Sequence, residues 1–289
     1  MICVTSASGT VGSEVIRRLE AENIPFRAAF FSQAKAEAAH ARGVEVAIID
    51  YNRPETLRSA FQGCDRLFLA APNVSNQTQL ELNAVEAAKA AGVRHIVKLS
   101  VLGADDAYSL ARVHRPSEEA IEASGMAWTF LRPNGFMQNA VTFMGPSIRG
   151  EDAFYSATGQ AKMSHVDVRD VAAVAVKALT ASAHEGKIYT LTGPEALTYD
   201  EMADELSQVL GREIRHIDLP PEDLKGAMLA GGMSEDIADV LLDLERYYRE
   251  GRPSRVTNDV KQVTGRDPHR FAEYARETAA TGAWNAEAA

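Results

Sequence analysis

Residues 2–20 read Ile2-Cys3-Val4-Thr5-Ser6-Ala7-Ser8-Gly9-Thr10-Val11-Gly12 and then an amphipathic run from Ser13 to Glu20. A short β-branched stretch thus leads through a glycine turn into a helix. The first turn of a helix leaves backbone N–H groups unpaired and carries the positive end of the helix dipole, so a pyrophosphate settles there when the backbone lets it approach. Gly9 and Gly12 permit that approach. A tight strand-to-helix turn holding no ligand would use the same residues, so the surrounding pattern has to choose between the two readings.

The pattern repeats. Apolar, β-branched runs predict strands at Ile2 to Thr5, Phe26 to Phe31, Val44 to Ile49, Arg66 to Ala70, His95 to Ser100 and Trp128 to Leu131. Helical patterns begin between them, near Val11, Ala34, Pro54, Gln77 and Ser117. Arg53-Pro54-Glu55 puts a proline and an acid in a first turn. Gly43, Gly63, Gly92 and Gly125 precede strands, where a chain leaving a helix needs positive φ. Six strands alternating with helices predict an α/β, Rossmann-like doubly wound parallel sheet, the context in which a glycine loop after the first strand binds a dinucleotide.

After Arg132 the rhythm loosens. Pro133-Asn134-Gly135 is a turn signal, and Gly150 to Gly159 reads as a hairpin or an excursion. A helix from Val168 to Leu179 and a strand from Lys187 to Leu191 restore it. Beyond Gly193-Pro194 come a Thr198-initiated helix with Glu201 at the capping-box position, a strand near Ile214 to Leu219, and mostly helical sequence to residue 280. The expected organisation is a dinucleotide-binding domain over residues 1–192, with a substrate-side excursion near 134–163, and a smaller C-terminal α/β domain over 193–289 that covers the open end of the sheet. The Ala-rich tail from Thr278 to Ala289 is expected to be poorly ordered.

Composition narrows the function. The 289 residues are 46% hydrophobic and 24% charged, an ordinary globular balance. With 30 Lys and Arg against 40 Asp and Glu, the formal charge is -10, which opposes the phosphate attraction a nucleic-acid binder needs. Cys3 and Cys64 lie in apolar runs and read as buried thiols, with no disulfide and no metal site. The first strand starts at Ile2 with no basic and apolar leader ahead of it, and no apolar run reaches the ~20 residues of a bilayer span. A cytoplasmic protein with no membrane partner is expected; a homodimer is left open.

The loop resembles that of the NmrA-like branch of the atypical short-chain dehydrogenase/reductases, GxxGxxG, with Ser6, Gly9 and Gly12 at the three glycine positions. The likeness extends along nearly the whole chain, through Gly43-Val44-Glu45, Asp50 to Glu55, Leu67 to Pro72, His95 to Gly103, Glu122 to Pro133 and His165 to Val171. It implies a cofactor set of Ser6, Ser8, Gly9, Thr10, Val11 and Gly12 in the loop and Phe31, Ser32 and Lys35 after the second strand. Asp50 and Tyr51 would follow at the adenine edge, Ala70, Ala71 and Pro72 along the nicotinamide ribose, Ser100 at the end of the fifth strand, and Asn134, Gly135 and Phe136 beside the nicotinamide. Phe31 stands where the family often has arginine, and Lys35 reads equally as a phosphate ligand or a solvated helix residue. The cofactor expected is NAD(P)H, leaning toward NADPH.

Alcohol-oxidising members of this fold use Tyr-x-x-x-Lys, which is absent; Tyr108 with Arg112 is the nearest spacing and reads as loop residues ahead of a helix. His114-Arg115-Pro116-Ser117-Glu118 resembles the His-x-x-Thr-Glu element of the quinone oxidoreductases and triphenylmethane-dye reductases. That makes His114 the candidate catalytic residue, donating a hydrogen bond or a proton near the nicotinamide. The alternative is structural, with Ser117 and Glu118 at a helix start and His114 packed nearby. Lys98 and Ser100 end the fifth strand, facing unknown. Phe136, Met137, Phe143, Met144, Phe154 and Tyr155 suit either a flat apolar substrate or a core. Asp167, Arg169 and Asp170 read as groups that cap and brace a helix. The resulting expectation is an NAD(P)H-dependent reductase passing hydride to a small aromatic or quinone-like acceptor. A non-catalytic NAD(P)-binding redox sensor is the alternative, and a sugar-nucleotide epimerase, lacking the tyrosine and lysine, comes last.

Overall fold

A computed structural model describes residues 1–285. Its main sheet holds β1 (Ile2–Val4), β2 (Phe26–Phe30), β3 (Glu45–Ile48), β4 (Arg66–Leu69), β5 (His95–Leu99), β6 (Ala127–Pro133) and β8 (Lys187–Leu191), all parallel, in the order β3-β2-β1-β4-β5-β6-β8. The sheet is the one the apolar runs predict. Its order reverses beside β1, where Val4 lies opposite Ala28 of β2 on one side and Phe68 of β4 on the other. A crevice opens at the carboxyl ends of the strands at such a switch point.

Both faces of a parallel sheet must be covered, and the helices divide accordingly. On one face Val11, Val15 and Leu19 of the helix Thr10–Ala21 pack with Val171, Val174 and Ala175 of Val168–Thr180. On the other, Leu57 and Phe61 pack with Leu80, Ala84 and Val85 of the helix Gln77–Ala91. Gly43, Gly63, Gly92 and Gly125 all take positive φ, between 75° and 86°. Asp167 caps Val168–Thr180 by accepting from the Arg169 amide, and Thr198 with Glu201 forms a capping box on Tyr199–Leu210. Cys3 and Cys64 are buried free thiols, although Cys64 sits in the turn before β4 and not in a strand.

Three local expectations are corrected. The segment 150–159 forms no hairpin: β7 (Ala153–Ser156) pairs in parallel with β9 (Arg215–Asp218), a partner some 60 residues downstream. The helix expected to begin at Ser117 runs Ser109–Ala123 with Pro116 inside it, so Arg112 and His114 are helical and Ser117 and Glu118 lie buried in its middle. Its start is fixed from outside, because Asp243 accepts from both the amide and the hydroxyl of Ser109 at 2.6 Å. The chain after Thr278 is built into a third core, where Trp284 is fully buried, packs edge-on against Tyr274 and donates to the Ala140 carbonyl at 3.1 Å. Residues 286–289 of that tail lie outside the described residues. This core joins Met137, Ile148 and Phe154 to Tyr199, Leu206 and Phe271. Among the described residues no helix is long and apolar enough to cross a membrane.

Candidate active site

Ser6 leaves β1 in the left-handed region, φ 47°, where glycine stands in the GxxGxxG pattern. Such a conformation costs a side-chain-bearing residue about 1–2 kcal/mol. It is held by hydroxyl groups converging on one carbonyl: Ser6 Oγ and Thr5 Oγ1 each donate to Ala70 O at 2.9 Å, and the buried Tyr51 hydroxyl donates to the same oxygen. The ends of β1 and β4 are thereby clasped where the sheet order reverses.

Gly12 shows why the loop needs its glycine. A Cβ there would stand 2.2 Å from Ser6 O, whereas at Gly9 it would meet the same oxygen at 3.2 Å. The amides of Thr10, Val11 and Gly12 have no partner within their helix, and no side chain caps it. A cradle of free amides with room only for glycine fits the pyrophosphate of a dinucleotide. The groove running from it has a volume of about 680 Å³. Of the expected cofactor residues it takes in Ser6, Ser8, Gly9, Thr10, Val11, Gly12, Phe31, Asp50, Tyr51, Ala70, Ala71, Pro72 and Phe136. Phe31, on the rim of the groove, is 76% exposed.

The other expected residues lie elsewhere. Ser32 caps the helix Gln33–His40, accepting from the Lys35 amide, and does not line the groove. Lys35 borders a neighbouring depression with Ser8, Arg17 and Arg42. Asn134 spends its amide within the fold, donating to Ser164 Oγ and Pro253 O and accepting from the Gly135 amide. Its backbone, with Gly135 and Ser100, borders a second cavity of about 260 Å³ that shares Ala70, Ala71, Asn73, Leu99 and Phe136 with the groove.

One side of this second cavity is aromatic and apolar, with Phe136, Phe143, Tyr108, Tyr247 and Tyr248 beside Leu110, Leu241 and Leu244; the other is polar, with Asn73, Gln77, Glu81, His114 and Asn139. Four of those residues come from the helix Glu235–Arg249, which the sequence does not mark as part of a site. Met137, Phe154 and Tyr155 do not line it; the first two belong to the third core. Tyr108 stacks on Tyr247 with ring centres 4.1 Å apart and donates to Leu102 O, and burial pushes its hydroxyl pKa far up. Arg112 points outward toward Asp243, so Tyr108 has no cationic partner of the Tyr-x-x-x-Lys kind.

His114 lines the same cavity, its side chain 12% exposed. Burial, and after it the charge of Lys98, pull its pKa down to about 4, so the imidazole is neutral at physiological pH. Lys98 Nζ lies 3.1 Å from His114 Nδ1 and 2.9 Å from Glu81 Oε2, a charge contact without the alignment of a good hydrogen bond. Burial raises the Glu81 pKa, but Lys98 and His114 outweigh it and hold the carboxyl below its usual range. Behind them Arg132 donates to both oxygens of Glu118. Sequence reasoning missed Glu81, though one signal exists: Gln77, Glu81, Ala84 and Ala88 fall on one stripe of their helix, and a carboxylate on a buried stripe demands a partner.

The model of the NmrA-like family matches residues 1–275. The chain is 40% identical over 282 residues to the NAD(P)H azoreductase of Xenophilus azovorans, covering 97% of this chain and 98% of that one. It superposes on the NADPH-dependent quinone oxidoreductase of Escherichia coli complexed with NADPH with a TM-score of 0.89, at 30% identity over 96% of this chain and 99% of that one. On the Citrobacter sp. triphenylmethane reductase complexed with NADP(H) the TM-score is 0.85, at 29% identity over 96% and 99%.

Proposed function

This chain belongs to the NmrA-like family, and from that premise we propose that it is an NAD(P)H-dependent reductase of small aromatic or quinone-type acceptors. The observation that carries the reading is the continuity of the two cavities: a dinucleotide groove that opens, through Ala70, Ala71, Asn73, Leu99 and Phe136, into a flat aromatic chamber. Bound in the groove, the reduced nicotinamide supplies a hydride. The free amides of Thr10, Val11 and Gly12 hold the pyrophosphate, and the Ala70–Pro72 segment lies along the ribose. Phe136, Phe143, Leu241, Leu244 and Tyr247 hold the acceptor and keep water from it. His114, neutral and facing the chamber, donates a hydrogen bond to the acceptor atom on which negative charge collects. An acceptor whose π-system stabilises that charge needs no stronger acid, which fits a site without Tyr-x-x-x-Lys.

NADPH is the proposed preference, on Lys35 and Arg42 beside Ser8, in a depression whose Arg17 is paired with Glu14. The proposal includes a cytoplasmic location and, on the acidic charge balance, no nucleic-acid ligand. Steady-state turnover of quinones, azo dyes and triphenylmethane dyes with NADPH and NADH tests it. Turnover of at least one class is expected. Cofactor binding without turnover of any would replace the reductase with a nucleotide sensor.

A further inference from the structure

We propose that Lys98 and Glu81 are positioning residues that hold His114 in the tautomer protonated on Nε2, so that it meets the acceptor as a neutral hydrogen-bond donor. The inference rests on the reductase reading above and assigns work to a buried ion pair that the reaction would otherwise leave unused.

Lys98 at the end of β5 and Glu81 on the helix Gln77–Ala91 are both 0% exposed. Burying two charges is expensive, and an apolar pair of the same size often serves a core as well. What distinguishes this pair is its third member. The Lys98 ammonium donates to Leu99 O and to His114 Nδ1, each at 3.1 Å, and contacts Glu81 Oε2 at 2.9 Å. An ammonium has hydrogens and no lone pair. The imidazole nitrogen facing it must therefore accept, and the single ring proton of neutral His114 sits on Nε2. Since Nδ1 is engaged by a lysine that does not line the chamber, Nε2 is the nitrogen left to meet its contents.

The charges around His114 oppose one another. Lys98 from β5 and the loss of water disfavour the imidazolium, while Glu81 from the neighbouring helix and Glu118 from its own favour it. Glu118 is already engaged by Arg132 of β6 and by Arg115, which leaves Glu81, whose cationic partner is Lys98, as the counter-charge nearest His114. Glu81 Oε1 stands 3.7 Å from His114 Nδ1, kept from it by the ammonium. Removing that ammonium would let the carboxylate take an Nδ1–H, turning the tautomer over and stabilising the cation. With the native arrangement, hydride adds to the acceptor, an electron pair moves onto its oxygen or distal nitrogen under the His114 hydrogen bond, and that atom takes its proton from solvent as the product leaves the chamber.

Holoenzyme carrying 15N-labelled histidine, loaded with NADP+, decides the matter by long-range 1H–15N spectra between pH 5 and 9, with the His114 signals identified by their loss in His114→Gln. In the wild type His114 is expected to show a protonated Nε2 and a bare Nδ1, unchanged across that range. In Lys98→Met its signals should titrate with a midpoint between pH 5 and 8, and kcat should acquire the same midpoint. Lys98→Met with Glu81→Gln, which removes both charges, should be flat again. A wild-type His114 that titrates in this window or carries its proton on Nδ1 would overturn the proposal, as would a Lys98→Met spectrum like the wild type's. If Lys98→Met does not fold, the wild-type spectrum decides alone. Absence of turnover in the wild type would sink the reductase reading and leave the tautomer result standing.

Discussion

Gly12→Ala tests the cofactor cradle at its tightest point. The added methyl would stand 2.2 Å from Ser6 O, about 1 Å inside the ~3.5 Å at which heavy-atom contact becomes favourable. The obstacle is backbone, clasped in turn to Ala70, so no side-chain rotation relieves it. The helix start must tilt or the Ser6 turn must open, at a cost of about 1–3 kcal/mol offset by up to ~1 kcal/mol from alanine's better helix propensity. A net loss of up to about 3 kcal/mol in stability follows. The larger effect falls on the ligand: misplacing one charge-assisted amide bond to the pyrophosphate costs roughly 1.5–3 kcal/mol, a loss of about ten- to 150-fold in NADPH affinity. Quenching of protein fluorescence on NADPH titration measures it, and Gly9→Ala, whose Cβ would meet Ser6 O at 3.2 Å, should lose much less. A Gly12→Ala protein that binds NADPH within twofold of the wild type would refute the assignment of this turn as the pyrophosphate site.

Phe31→Arg removes little packing, since Phe31 is 76% exposed, and places a guanidinium at the adenosine end of the groove; the ratio of NADH to NADPH dissociation constants should rise by about tenfold or more. An unchanged ratio would show that the 2′-phosphate is held elsewhere. Burial lifts the Glu245 carboxyl to about 7, against the backbone amide of Ala157 that it accepts from. A raised carboxyl pKa means that the native state binds the extra proton, so stability is greatest below the unfolded value near 4.3 and falls as pH rises through 7. Urea midpoints should therefore decline between pH 5 and 8, and Glu245→Gln should flatten that decline. Trp284→Ala, which empties a fully buried site and removes a donor to Ala140 O, should cost about 3–5 kcal/mol in the same titration.

The sheet was legible because its strands are local objects. Each is a short apolar run, β3 to β6 each preceded by a glycine that takes positive φ, and parallel strands buried on both faces have no alternation to misread. The shape of the glycine turn was legible because Gly9 and Gly12 mark it locally, although Ala70 O, reached by Ser6 and Thr5, holds it from outside. What escaped is non-local. Pro116 looks like the first residue of a helix, but Asp243, 134 residues from Ser109, pins the start a full two turns earlier. β7 cannot be recognised as half of a pair until β9 is placed beside it. Asn134 carries the residue type of a ligand, yet its amide is spent on Ser164 Oγ and Pro253 O, which come from elsewhere in the chain. His114 was singled out by its motif, but its protonation state is set by Glu81 and Lys98, which reach it from another helix and a strand.

The third core also dictates an order of assembly. Strands β1 to β6 are complete by Pro133, and β8 with its covering helix Val168–Thr180 by Leu191, so the main sheet can close before the last third of the chain leaves the ribosome. Met137, Ile148 and Phe154 are made soon afterwards, but Leu206, Phe271 and Trp284, which bury them, arrive last. Until residues 215–218 are made β7 is an unpaired edge, and until Phe271 and Trp284 follow, that apolar surface is only partly covered, by Tyr199 and Leu206. Chaperone demand and aggregation during expression should therefore follow changes in the last third of the chain far more than changes in the glycine loop.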